Sequence, residues 1–230
     1  PRRYSSAASD VYKRQVIVDN EAGAHSLTLS NGASATYTSG SGNSAIVYTY
    51  TVSEDDTASS DLTISSATSP SIKDSAGGAA EAISGDLGTV VIDADDPDMT
   101  GCDASDGAYG VGEAISITCT FDEAVSVTGT PTLTLSNGDT ASYSSGTGSA
   151  NIVFSTTVAE GDSDSADLSV SSINPTAGGA TMGDAAGNSI DTTVTGGDLG
   201  SVTVDGAVPI FIGVIATDGA YGVGETLSIT

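Results

Sequence analysis

A long, nearly identical repeat is the feature that most limits how this chain can fold. The sequence Asp-Gly-Ala-Tyr-Gly-Val-Gly-Glu at 106–113 recurs unchanged at 218–225, and Leu-Thr-Leu-Ser-Asn-Gly at 27–32 recurs at 133–138. Corresponding positions are 112 and 106 residues apart, so the repeat unit has about 110 residues. Repetition at this length is typical of a tandem array of small domains and not of a short-period solenoid.

The copy at 95–205 predicts an all-β fold. Its apolar residues alternate with polar ones in short segments, and no helical period is present. Seven or so strands with turns at intervals of roughly 8–12 residues are typical of a β-sandwich of immunoglobulin size. We therefore predict tandem immunoglobulin-like β-sandwich repeats, of which only the middle one is complete. In chain order the predicted strands lie near 99–103, 114–121 and 124–128, then in the repeated hairpin, then near 150–158, 168–173 and 199–205; a turn at 106–112 separates the first two.

The register of the repeated hairpin can be predicted from its apolar residues. A two-residue turn would place the leucines of its first strand on the face opposite to Ala141 and Tyr143 of its second strand. A three-residue turn at 136–138 with a left-handed glycine places all four side chains on one face. We predict the three-residue turn here and at 30–32 in the first copy.

The repeat divides the chain into four predicted segments. Residues 16–94 form a repeat without its first two strands, 95–205 the complete repeat, and 206–230 the first hairpin of a third. Residues 1–15 hold four of the five basic residues and end in Asp-Val-Tyr-Lys-Arg-Gln at 10–15, which resembles the in-frame translation of a transposase adapter used for sequencing libraries. We expect that segment not to be native, and the chain to be a fragment. A basic signal-peptide start is the alternative, disfavoured because no apolar stretch follows.

The charge of the chain excludes two classes of partner. A formal net charge of −25 leaves too few Lys and Arg side chains to bind nucleic acid or anionic lipid. No apolar run approaches the roughly 18 residues of a membrane span. Solubility in salt, repulsion between neighbouring molecules, or neutralisation by divalent cations remain as roles for the acidic surface.

Four motifs resemble a known group of proteins. The sequences at 107–113, 117–125, 134–138 and 184–188 are similar to the tandem Ig-like repeats of very large bacterial surface proteins, including biofilm-associated adhesins. The resemblance covers 16–230 and implies an extracellular or cell-surface location and a spacer role. It also implies neighbouring repeats of the same chain as partners, with surface glycans or other adhesin molecules as further candidates.

The chain departs from the group in two features. It has a cysteine pair, and its first copy has Gly77-Gly78 where the complete copy has Gly187-Asn188.

No motif in the sequence indicates an enzyme. The single histidine, His25, occupies the position of Pro131 in the next copy, so we interpret it as a loop residue. The glycines near Tyr109 follow a turn and do not open a helix, which disfavours a phosphate site. We therefore predict no catalytic and no cofactor-binding residues.

Carboxylates near the junction of the first two repeats predict a calcium site. Sandwich topology places loops of both repeats at this junction, and a hard cation takes six to eight oxygen ligands. The alternative is that these charges are merely solvated. The predicted ligands are Asp55, Asp56, Asp93, Asp95, Asp96, Asp98, Asp122, Glu123 and Asp184.

The two cysteines, Cys102 and Cys119, have two alternative states. Both occupy predicted strands, and a disulfide between them suits an exported protein. A hairpin centred on the 106–112 loop offsets them by about three residues, which opposes a bond. A disulfide and two buried free thiols both remain open.

A carbohydrate-binding β-sandwich is the alternative function. Such a module needs an exposed aromatic platform, and Tyr48 with Tyr50 lies on one predicted strand face. Thr156 replaces Tyr50 in the next copy, which weakens this interpretation.

Overall fold

The all-β fold is confirmed in a computed structural model of the chain, which describes residues 16–18, 25–68, 72–74, 77–78, 84–216 and 218–229. Within these ranges there is no α-helix, and one 3-10 turn spans Ala177–Gly179. The chain divides between Asp96 and Pro97 into two compact units, and residues 186–188 belong to the first of them.

The second unit is built on a seven-stranded antiparallel sheet. Its strands follow the alternation of apolar and polar residues, because successive side chains in a strand point to opposite faces. The strands of this unit are β8 (Met99–Ala104), β9 (Gly107–Gly110), β10 (Ala114–Thr128), β11 (Thr132–Leu135), β12 (Thr140–Ser145), β13 (Ser149–Thr157), β14 (Val170–Asn174), β15 (Thr181–Gly183) and β16 (Val202–Asp205). In the seven-stranded sheet the order in space is β14-β11-β12-β13-β10-β15, and β8 also pairs with β10.

Strand β10 corrects the prediction of two separate strands at 114–121 and 124–128. Its alternation of buried and exposed side chains runs unbroken from Ile115 to Val127. Glu123 occupies one of the inward-facing positions, so the apolar pattern is interrupted while the backbone stays extended. The first half of β10 pairs with β13 and β8, and the second half pairs with β15.

The segment Gly107–Gly110 is a strand, although its glycines predict only a turn. It forms β9 and pairs in parallel with β16, placing Tyr109 opposite Val204. The prediction was wrong because its partner lies about 95 residues away in sequence, so no local pattern reports the pairing.

The core of the second unit is continuous and closed. Ile117, Cys119, Val125, Ile152 and Phe154 are fully buried. These belong to a cluster that also receives side chains from β8, β11, β14 and β16. At about 25 cal/mol for each Å² of apolar surface removed from water, this cluster is the main stabilising element of the unit.

The first unit repeats part of this arrangement. Its strands are β1 (Val16–Val18), β2 (Ser26–Leu29), β3 (Ser34–Ser39), β4 (Val47–Thr49), β5 (Thr63–Thr68), β6 (Ile72–Asp74) and β7 (Gly85–Asp86). The larger sheet has the order β4-β3-β2-β5-β7, and β1 pairs separately with β6. The core cluster consists of Leu27, Leu29, Ala35, Leu62 and Ile92.

The predicted three-residue turn of the repeated hairpin is confirmed in both units. Leu133 pairs with Ala141 and Leu27 pairs with Ala35, so the two registers are the same. Gly138 and Gly32 have φ angles of +94° and +88°, a left-handed conformation that glycine adopts at little cost. Both leucines and both alanines are buried, as the turn requires.

Residues 206–216 and 218–229 belong to a loose hairpin after β16. An isolated antiparallel bridge joins Ala216 to Ile229, which corresponds to the pairing of Ala104 with Ile117 in the complete repeat. Its tight turn also repeats, because Gly222 N–H donates to Glu225 just as Gly110 N–H donates to Glu113.

Candidate functional site

The fold brings two of the predicted calcium ligands together in the second unit. Glu123 faces inward on β10, and Asp184 directly follows β15, which pairs with the same part of β10. One carboxylate oxygen of each residue lies within 4.8 Å of the other. Asp184 is buried, with 8% of its surface exposed. Carboxylate oxygens are the ligands that hard cations prefer, so this pair has the chemistry of part of a cation site.

Asp98 and Asp122, also in the second unit, make mutual backbone contacts. Asp98 N–H donates to Oδ1 of Asp122 over 2.9 Å, and Asp122 N–H donates to the carbonyl oxygen of Asp98 over 3.0 Å. One Asp122 oxygen therefore satisfies a backbone donor where the chain enters β8. This use stabilises the backbone and competes with metal ligation by the same atom.

In the first unit Asp56 closes a turn. Its Oδ2 accepts hydrogen bonds from the Tyr50 hydroxyl and from Ser53 N–H, both over 2.7 Å. The Tyr50 hydroxyl, followed by Ser53 N–H, lowers the pKa of Asp56 below its ordinary value. Burial, followed by the bond to Asp56, raises the pKa of Tyr50. Asp56 is thus an ionised structural acceptor, while its neighbour Asp55 is exposed.

The same turn in the complete repeat uses Asp162. Its Oδ2 accepts a hydrogen bond from Ala159 N–H over 2.6 Å. Thr156 stands where the first repeat has Tyr50. The aspartate at this loop position is therefore shared by both repeats as a turn-closing group, and the tyrosine contact belongs to the first repeat alone.

Asn188, which was not among the predicted site residues, contacts the backbone of two acidic residues at the end of the first unit. Nδ2 of Asn188 donates to the carbonyl oxygens of Asp93 and Asp95, over 3.2 and 3.1 Å, and all three residues belong to the first unit. Gly78, at the corresponding position of the first copy, has no side chain for this contact. The difference between Gly77-Gly78 and Gly187-Asn188 is the feature of the sequence that could have indicated this contact.

Most of the predicted ligands are not brought together. Within the described ranges, Asp55, Asp56, Asp95, Asp96, Asp98 and Asp122 join no group of three or more closely spaced acidic side chains. Asp95 and Asp98 are exposed, and Asp93 and Asp96 are half-buried. The full set of nine therefore remains a sequence prediction, of which Glu123 and Asp184 are the members with close carboxylates in one unit.

The cysteines form a disulfide in the structure, and the predicted offset between them is wrong. Cys102 lies directly opposite Cys119 in the β8–β10 pair. The offset assumed that the chain between them forms one symmetric hairpin. Since β9 leaves to pair with β16, the register of β8 on β10 shifts and aligns the two residues.

Tyrosine side chains of both units make hydrogen bonds and ring contacts within the fold. Tyr109 donates its hydroxyl hydrogen to the Ser105 carbonyl oxygen over 2.9 Å. The Tyr37 and Tyr48 rings meet edge to face with centroids 6.1 Å apart. Burial, followed by the neighbouring Tyr37, raises the pKa of Tyr48. These contacts do not favour a flat aromatic platform for sugars.

His25 is buried rather than placed in an exposed loop. It retains 5% exposure and meets Tyr37 edge to face with a centroid distance of 6.2 Å. Its carbonyl oxygen accepts Tyr37 N–H, as that of Pro131 accepts Tyr143 N–H in the complete repeat. The residue has a packing role at the start of the hairpin.

Comparison of the chain with protein-family models, with curated proteins and with solved structures found no match. Across the part of the chain that the structure describes, no helix has the length and apolar character to cross a membrane.

Proposed function

We propose that this chain is a non-catalytic structural repeat of a large secreted or cell-surface adhesin, in which successive β-sandwiches act as a spacer. The supporting observation is that the two units share their internal construction. The hairpins have one register, and Leu62 N–H donates to the Val90 carbonyl oxygen as Leu168 N–H does to that of Val202. A chain that repeats one domain suits a spacer, because the function of a spacer depends on its length and not on a single binding site.

The acidic surface supports the same role. A net charge of −25 keeps repeats of neighbouring molecules apart, and it favours divalent cations as counterions. The proposal includes calcium bound by the linker acids at 93–98. It is supported by the density of acids at 93–98 and by the close carboxylates of Glu123 and Asp184, two further members of the predicted set.

Thermal unfolding of the full chain in millimolar calcium and in chelator tests the calcium part. If the ion binds the folded state, a concentration about 100-fold above Kd stabilises by about 2.7 kcal/mol, which raises Tm by several degrees. The shift should disappear in the triple variant D95N/D96N/D98N. The matched control D103N/E160Q/D167N removes three exposed acids outside the predicted set and should keep it.

Two outcomes contradict this part of the proposal. The first is an unchanged Tm at millimolar calcium. The second is an equal loss of the shift in both triple variants, which would indicate general charge screening. Magnesium is the ion control, since it dehydrates reluctantly and demands a stricter octahedral geometry.

A glycan array tests the spacer role against the carbohydrate-binding alternative. The spacer account predicts no saturable binding by the full chain. Saturable binding that is lost in Tyr48→Ala or Tyr50→Ala, with folding retained, would favour the alternative.

A further inference from the structure

The disulfide joins the strand by which the chain enters the second unit to the long strand β10. Pro97 is the first residue of this unit, and β8 follows it directly. The bond connects Cys102 on β8 to Cys119 on β10, which spans 15 residues and pairs with β13 and β15. Both cysteines are buried, at 8% and 0% exposure, so the bond lies within the core of the unit.

Strand β9 lies inside the loop that this bond closes. The two cysteines are 17 positions apart, and residues 107–110 fall between them. β9 pairs in parallel with β16, with Gly107 opposite Val202. Ser201 N–H donates to Oδ1 of Asp106 over 2.8 Å, and Gly107 N–H donates to the Ser201 carbonyl oxygen over 3.0 Å. The closed loop therefore carries the segment that ties the beginning of the repeat to its end.

A spacer bears tension along its backbone, and the inference drawn here rests on that proposed role. Tension that arrives from the preceding repeat enters at Pro97, passes first to β8, and leaves the unit after Asp205. Apart from the disulfide, β8 is held by its pairing with β10 and by a hydrogen bond of 2.8 Å from Cys102 N–H to the Gly196 carbonyl oxygen. The register with β10 is interrupted next to Phe121, close to the point of entry. Without the bond, β8 should therefore detach first, and β9 is the next strand along the backbone.

We propose that the Cys102–Cys119 bond is a mechanical latch that passes tension from β8 directly to β10 and keeps it from reaching β9. The path through the two sulfur atoms bypasses residues 103–118, so these residues cannot be extended while the bond is intact. β10 can take the load because it pairs with β13 over 114–120 and with β15 over 126–128. The latch holds the parallel β9–β16 pair in place while the repeat is pulled.

The latch is a feature of this repeat and is absent at the corresponding position of the next copy. Val214 stands there in place of Cys102, in the same alignment that matches Ala216 with Ala104. Valine cannot form a disulfide. Repeats of this kind should therefore yield to tension before the latched one.

Optical tweezers attached to the two ends of the full chain test the latch. The unmodified second unit should open in one step, with residues 103–118 held back. C102A/C119A should open in two steps that begin at a lower force, because β8 is released before the rest of the unit. Its total extension should be longer by about 5–6 nm, since an extended chain gains about 3.3–3.6 Å for each of the residues set free. Steps of the first unit, which has no cysteine, should be the same in both chains.

Two further variants separate the latch from general stability. Leu133→Ala is the matched control, because it removes a fully buried side chain from β11, which does not pair with β8. It should weaken the unit and keep the single step. C102V/C119A is a second chain without the latch, with the valine that the next copy has at this position, and it should also show the early step. Circular dichroism checks that each variant folds.

Three results would overturn the latch. They are a single step in both variants that lack the bond, an unfolding force that loss of the bond leaves unchanged, and an early step in Leu133→Ala, which would indicate general destabilisation. None of them bears on the spacer role, which the glycan array tests, so failure of the latch and failure of the proposed function are distinguishable.

Discussion

Strands β4 and β13 have corresponding positions in the two units but different environments. β13 spans nine residues with partners on both sides, and β4 spans three with a partner on one side among the residues that the structure describes. Phe154 on β13 is fully buried, whereas the ring of Tyr48 on β4 is only partly covered. The β2–β3 and β11–β12 hairpins have the same register because their turns are specified locally. Burial of the strand that follows the hairpin depends on a more distant segment: in the second unit, β13 is covered by β10, about 35 residues earlier in the chain.

The largest expected effect is the removal of a core aromatic side chain. Phe154→Ala should destabilise the second unit by about 3–5 kcal/mol, because it deletes a fully buried ring and leaves a cavity. Tyr48→Ala should cost the first unit clearly less, about 1–2 kcal/mol, since its ring is partly exposed. Urea unfolding of the full chain, followed by tyrosine fluorescence, measures both. Equal losses would contradict the difference in burial.

The disulfide should stabilise only the second unit. The bond joins residues 17 apart, and a loop of this size gives about 2–4 kcal/mol in the chain-entropy account. Cys102→Ala with Cys119→Ala should lower the Tm of that unit and leave the first unit unchanged. Reduction of the unmodified chain provides an independent check. A loss shared equally by both units would show that they unfold together.

The smallest expected effect concerns the Tyr50–Asp56 contact of the first unit. The folded pKa of Asp56 lies below its ordinary value, so the associated stability is present above the unfolded pKa and is lost as pH falls through the folded one. Tyr50→Phe removes the largest cause and should move the pKa of Asp56 upward. Observation of the carboxyl carbon by NMR across an acid titration measures the shift.

Thr156→Val is the control for this prediction. Thr156 occupies the position of Tyr50 in the complete repeat, and the described hydrogen bonds do not link it to Asp162. The hydrogen bond from Ala159 N–H to Asp162 should stay unchanged. An unchanged pKa of Asp56 in Tyr50→Phe would show that Ser53 N–H alone accounts for its shift.

Local features of the chain were predictable from the sequence. The alternation along 114–121 indicates a strand with one buried face, and Gly138 requires a turn that fixes the hairpin register. Both depend on residues within a few positions of each other. The all-β class follows from the same kind of evidence.

Features that depend on distant segments were not predictable. Gly107–Gly110 has the composition of a turn, and only its pairing with β16 makes it a strand. The alignment of the cysteines is a consequence of that pairing. Asn188 holds carbonyl oxygens about 95 residues away, so its neighbours in sequence do not indicate the contact, and the available signal is the glycine at the corresponding position of the first copy. Glu123 keeps the alternation of inward positions, but its charge interrupts the apolar pattern on which the strand prediction depends.

Amide hydrogen exchange at 47–49 and 153–155 tests the central comparison most directly. The measurement uses a dilute solution of the full chain. The account predicts that amides at 153–155 exchange only with unfolding of the second unit, and that those at 47–49 exchange at least about tenfold faster through local opening. Equal protection of the two segments would contradict the open edge, and with it the difference between the two repeats.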